Sequence, residues 1–151
     1  MRHARLVSVL VVLAAAPAVL AQHGPGVRGG LSDDPDQLYV GGHLDLGLVT
    51  GSLRFRPNVE VGFGDNVTTV ALNGEFVYRL GRGGGAWRPY LGGGPALNLY
   101  SFDGPGRDDS ETEAGLNVLV GLANGSGLFF EAKLGLLDSP DLKLGVGFSF
   151  P

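Results

Sequence analysis

The chain has 151 residues, a net charge of −4, no cysteine and 27 glycines. The missing cysteines exclude a disulfide framework, thiolate chemistry and a cysteine-type zinc site. An acidic balance without a basic stripe argues against nucleic acid as a partner.

The first residues, MRHARLVSVLVVLAAAPAVLAQ, place Arg2 and Arg5 before an apolar run from Leu6 to Ala16. Val19 and Ala21 then have the small-residue spacing of a cleavage site. The pattern predicts a secretory signal peptide over 1–21, since the run is short for a membrane helix. Removing it takes the basic count from 11 to 9 and leaves a net charge of about −6. Residues 22–37, rich in Gly, Pro and Asp, read as a flexible N-terminal tail. Residues 38–151 form the remaining domain.

Seven alternating runs follow, at 38–49, 52–64, 67–80, 87–101, 112–123, 128–137 and 142–150. Each carries apolar residues at every second position and glycine, amide or charged residues between. In the last, Leu142, Leu144, Val146, Phe148 and Phe150 oppose Lys143, Gly145, Gly147 and Ser149. Period two predicts strands, and no stretch after the leader sustains a helical period. Pro57 removes a ladder donor from the second run, so a bulge or break is expected there. In the fourth run Gly92 to Pro95 blur the pattern, and in the fifth Leu119 stands on the polar face. Connectors are tight and turn-like, except for a longer one, FDGPGRDDSE, over 102–111. The layout predicts an all-β, antiparallel up-and-down barrel, because closure removes exposed strand edges.

Two barrels fit this alternation: a soluble lipocalin-like barrel with its apolar face inward, and a transmembrane barrel with that face toward lipid. The polar face is not dressed for water, as it is dense in glycine. Its charges have both signs, with Arg54, Arg56, Arg79, Lys133 and Lys143 against Asp45, Glu60, Glu75, Glu113 and Glu131. Buried charges must be paired. The expectation is therefore a lumen network involving Arg54, Arg56, Glu60, Glu75, Arg79, Glu131, Lys133 and Lys143. The runs are long enough to cross a bilayer as tilted strands, with aromatics near their ends.

With LYVGGHLDLG, RPYLGGGPALNLYS and the terminal LKLGVGFSF in hand, the chain resembles the small outer-membrane β-barrels of Gram-negative bacteria, the OmpA-like and opacity-type eight-stranded barrels. The resemblance implies eight strands, one more than the runs found. The missing strand is expected either within 24–37 or from a split at GGGP. It also implies outer-membrane localisation and a monomer in contact with outer-membrane lipid and lipopolysaccharide. Phe148 and Phe150 would form the C-terminal signal read by the barrel-assembly machinery, with Pro151 as a departure from that ending. With a periplasmic C-terminus, 102–111 and DSPD become extracellular.

No cofactor, metal or catalytic motif emerges. GRGGG lacks the ending of a phosphate loop. His43 and Asp45 share one strand face, and a serine from another strand could complete a hydrolase triad, but a lumen hydrogen bond is the better reading. The acidic residues Asp103, Asp108, Asp109, Glu111 and Glu113 read as a solvated loop, with divalent-cation attraction as the other option. The expected function is a non-enzymatic envelope-structural, adhesion or surface-interaction barrel. The alternatives are a soluble barrel binding an apolar ligand and a lipid-modifying barrel enzyme built around His43.

Overall fold

Alternating side chains leave a strand with two unlike faces, and nine such segments occur among the described residues. They are β1 (Gly24–Asp33), β2 (Gln37–Asp45), β3 (Leu48–Thr50), β4 (Leu53–Gly64), β5 (Val67–Arg79), β6 (Trp87–Gly104), β7 (Arg107–Asn124), β8 (Leu128–Leu137) and β9 (Leu142–Ser149). The structure is a computed structural model that describes residues 24–81, 85–104, 107–137 and 139–151, without the side chains of 107 and 108. The expected signal peptide lies outside these residues. No helix occurs among them.

Every neighbouring pair of strands is antiparallel, and the order β2-β1-β9-β8-β7-β6-β5-β4-β3 closes on itself through β2 against β4. β3 continues the line of β2 after an interruption, so the closed barrel has eight strands. The β2–β4 ladder ends at His43↔Asn58, one residue before Pro57, and resumes as β3–β4 with a shifted register. On its other side β4 pairs with β5 without a break, Pro57 lying opposite Gly74. The missing proline donor thus interrupts one ladder only.

Residues 24–33 do not form the flexible tail that their composition suggests. They are β1, paired with β2 on one side and with β9 on the other, and they shut the barrel. Here glycine serves close approach rather than freedom. A Cβ on Gly30 would come within 1.9 Å of the Leu144 carbonyl oxygen, and one on Gly94 within 1.8 Å of that of Gly74. β6 runs unbroken through GGGP, so the eighth strand comes from β1 and not from a split. Most of the expected 102–111 loop is ladder too. Phe102 pairs with Asp109 and Gly104 with Arg107, because a hairpin satisfies its own backbone whatever its side chains. β8 pairs only with 115–123 of β7, so the β6–β7 hairpin extends past the end of β8, while β5 accompanies it as far as Phe102.

The faces are inverted relative to a water-soluble core. Val120, Leu144, Leu134 and Val40 are more than half exposed, whereas Glu60 and Lys133 are 1% and 3% exposed. Monomers in water rarely expose a continuous apolar belt of this kind. Leu119, which breaks the alternation in its run, belongs to the inside. It packs with Val77, Tyr90 and Phe129 into a small apolar cluster in the lumen.

Closure through β1 is testable by substitution. Gly30→Val should prevent barrel closure and abolish the compact, heat-modifiable band on a detergent gel. Gly42→Ala, where an added Cβ meets only the Gly26 carbonyl oxygen at 3.6 Å, should leave that band intact.

Candidate functional site: the charged lumen

Eight strands leave a lumen just wide enough for side chains to fill. Arg28, Arg56, Lys133 and Lys143 meet Glu60, Glu75 and Glu131 there, all buried. Strand register explains how they fit. Arg28 has Gly41 and Gly147 as its neighbours across the two ladders, Glu60 has Gly41 and Ala71, and Glu131 has Gly121 and Gly145. A large side chain flanked by glycines has room to reach across to the far wall.

Glu60 accepts hydrogen bonds from Lys133 Nζ at 3.0 Å and from Lys143 Nζ at 2.7 Å, with Arg28 Nη1 at 3.5 Å. Lys133 and Lys143 are direct cross-strand partners, a repulsive placement that their shared carboxylate offsets. Glu131 takes Arg56 Nη2 at 2.5 Å, Tyr90 Oη at 2.7 Å and Arg28 Nη1 at 3.2 Å. Glu75 is bonded by Arg56 Nη2 at 3.1 Å and contacts Lys133 Nζ at 2.5 Å. The Phe129 ring has the Arg28 and Arg56 guanidiniums each 5.5 Å from its centroid, and Lys143 Nζ lies 5.2 Å from that of Tyr39. Rings of this kind stabilise desolvated cations. Beside the charges runs an amide chain. Asn117 donates to Asn73 at 2.9 Å, and Asn73 donates to Asn58 at 2.8 Å.

Among the residues expected in the network, the structure gathers Arg56, Glu60, Glu75, Glu131, Lys133 and Lys143. Arg54 and Arg79 are placed elsewhere. Arg54 makes a forked pair with Asp45 near the end of the lumen, at 2.8 to 3.0 Å, and Arg79 is exposed at the end of β5. Asp45 and Arg54 lie beside the β2–β3 interruption, where the chain has reached the rim. Three contributors were not expected: Arg28, Tyr90 and the asparagine chain. The signal for Arg28 is present in Gly26, Arg28, Gly30 and Ser32, which alternate with Val27 and Leu31. Glu113 lies on the acidic rim with Asp34, Glu111 and Asp141, beside a cavity of about 340 Å³.

His43 is buried, with Nε2 2.9 Å from Ser149 Oγ and its ring edge-on to Phe129. A serine from another strand does therefore reach the histidine. The third member of a triad is missing, because Asp45 is occupied by Arg54 and by the Gly47 amide. His43 Nδ1 is buried without a partner. An orphaned N–H is less tolerable than an orphaned lone pair, so the stable tautomer carries its proton on Nε2 and donates to Ser149. A ring in that form is not set to take the serine proton.

Phe148 and Phe150 stack edge to face outside the barrel, 5.2 Å between centroids, and the Phe150 amide donates to the Pro25 carbonyl at 2.8 Å. The C-terminal aromatic is thereby fastened to the first strand.

Breaking a buried ion pair leaves the partner charges uncompensated, at a cost of about 3–5 kcal/mol. Glu75→Leu or Glu60→Leu should lower the unfolding free energy from urea titration in detergent micelles by an amount on that scale, with a matching fall in the midpoint. Asp109→Asn, on the exposed hairpin, should leave it unchanged.

No protein-family model matches the sequence, and no curated protein matches it. Solved structures do. The N-terminal β-barrel domain of Pseudomonas aeruginosa OprF aligns with a TM-score of 0.62 at 20% identity, over 85% of this chain and 98% of that one. Neisserial surface protein A, NspA, gives a TM-score of 0.57 at 15% identity, over 84% and 94%. The outer membrane enzyme PagL gives 0.51 at 14% identity, over 85% and 99%. With the closed ring of β1 to β9 and its filled polar lumen, these likenesses show that the chain has the fold of the small eight-stranded outer-membrane barrels.

Proposed function

We propose that the chain is an integral outer-membrane barrel without enzymatic activity, with an envelope-structural, adhesion or surface-interaction role. The observation that carries this reading is the inverted polarity. An exposed apolar belt encloses a lumen filled by paired charges, and only a lipid surround makes that arrangement favourable. Outer-membrane lipid and lipopolysaccharide are then the surround, and a monomer suffices, because closure leaves no sheet edge inside the belt. The long β6–β7 hairpin supplies the surface available to partners, and the likeness to NspA, a surface protein, is in keeping with that role.

A lipocalin-like function needs an apolar interior, and this interior is polar and charged. The enzymatic reading draws on the His43–Ser149 contact and on the likeness to PagL. The orphaned Nδ1 and the committed Asp45 weigh against it. The crowded lumen also favours a structural barrel over an open pore.

Fractionation is the test. The protein should sediment with the outer membrane and require detergent for release. Recovery in the soluble periplasm would overturn the membrane reading. The C-terminal aromatic can be examined separately as an assembly signal. Phe150→Ala should reduce the amount of assembled barrel in cells several-fold while leaving refolding into micelles intact. Equal loss in both settings would make Phe150 a structural residue instead.

A further inference from the structure

At the lumen end reached by Asp45 and Ser149 lies a cavity of about 70 Å³ whose wall includes Asp45, Arg54, Arg56, Arg79, Asn124 and Ser149. Three arginines and one carboxylate line it. That carboxylate is already saturated by Arg54 Nε and Nη2 and by the Gly47 amide. Arg56 gives its Nη2 to Glu75 and Glu131, but its Nε is buried without a hydrogen-bond partner. Arg79 makes no salt bridge among the described residues. Asn124 spends its Oδ1 on the β7–β8 turn, through Ser126 and Leu128, and its amide nitrogen remains a donor. Arg54 is balanced by Asp45 and Arg56 by Glu75 and Glu131, so the uncompensated positive charge at this end is that of Arg79.

We propose that this cavity is a binding site for a small oxyanion, a phosphate group being the chemistry that it fits. Guanidiniums recognise such groups through paired N–H donors, and the restricted access at the barrel end strengthens each contact relative to open water. Arg79 would be the principal ligand, with Arg56 Nε and the Asn124 amide completing the donor set. Arg54 is held by Asp45 and offers no free fork. The volume holds a few waters or one tetrahedral oxyanion, not a nucleotide. The inference rests on the cavity and its donors, and it is independent of which side of a membrane this end faces.

The test is a titration of the folded full chain in maltoside micelles, which carry no anionic headgroup. Inorganic phosphate is added at ionic strength held constant with chloride, and the arginine Nε–H signals are followed by proton–nitrogen NMR. The Arg56 and Arg79 signals should shift and saturate, while that of Arg28, deeper in the network, should stay. Arg79→Gln should weaken binding about tenfold, the loss of one charge-assisted contact, and Arg79→Lys should restore part of it. A second arm replaces phosphate by a short-chain phosphatidic acid. Saturation by the lipid alone assigns the site to a headgroup, and saturation by phosphate assigns it to the free ion. Either outcome supports an oxyanion site. Shifts that chloride reproduces, no saturable shift in either arm, or undiminished binding in folded Arg79→Gln would overturn the proposal. The wild-type titration decides the matter even where a variant fails to fold.

Discussion

Glu60, Glu75 and Glu131 sit in the middle of the barrel, surrounded by four cations, and the architecture around them follows from the need to keep those charges compensated. A lone carboxylate in this lumen would cost several kcal/mol through lost hydration. Each one is therefore shared among two or three donors from different strands. Arg28 comes from β1, Arg56 from β4, Lys133 from β8 and Lys143 from β9. The network thus ties together walls that are not neighbours in the sheet. Pairing holds each strand to its two neighbours, and the charges hold the ring across its diameter.

The glycine content follows from the same geometry. A narrow barrel cannot hold a long side chain at every inward position. Arg28, Glu60 and Glu131 have only glycine or alanine beside them on the adjoining strands, as at Gly41, Gly121, Gly145 and Gly147, whereas Arg56 lies opposite Glu75 and Lys133 opposite Lys143. The outer face has the opposite requirement and carries leucine, valine and phenylalanine almost without interruption. Two compositions that look unrelated in the sequence are the inner and outer solutions for one wall.

Much of this was legible from alternation alone. The seven runs correspond to β2 with β3 and to β4 through β9, and the inward charges at 56, 60, 75, 131, 133 and 143 follow from period two. β1 is legible only as one of two places for an eighth strand, because its composition resembles that of a linker. Only Val27 and Leu31 mark its outer face, and the glycines that make it look mobile let it fit between β2 and β9. Arg28 went unseen with it. Arg54 and Arg79 share the parity of the network residues but lie at the ends of their strands, a matter of height that periodicity does not encode. The amide chain from Asn58 to Asn117 depends on register between strands far apart in sequence, and single-strand patterns carry no register.

The pairing of β1 with β9 also bears on the order of folding. Gly26 lies opposite Ser149, so the contact joins the two ends of the barrel sequence and incurs the largest loop-closure entropy of any ladder in the molecule. Hairpins such as β6–β7 form from local contacts and need no such encounter. Arg28 reaches Glu60 within the β1–β2–β4 sheet, but Lys133 and Lys143 come from β8 and β9, across the β1–β9 ladder, so Glu60 acquires two of its three cations only as the ring shuts. Neutralisation and closure are then one event. Until it occurs, the half-built sheet keeps a carboxylate that is better left in water, and an open barrel has a reason to stay hydrated.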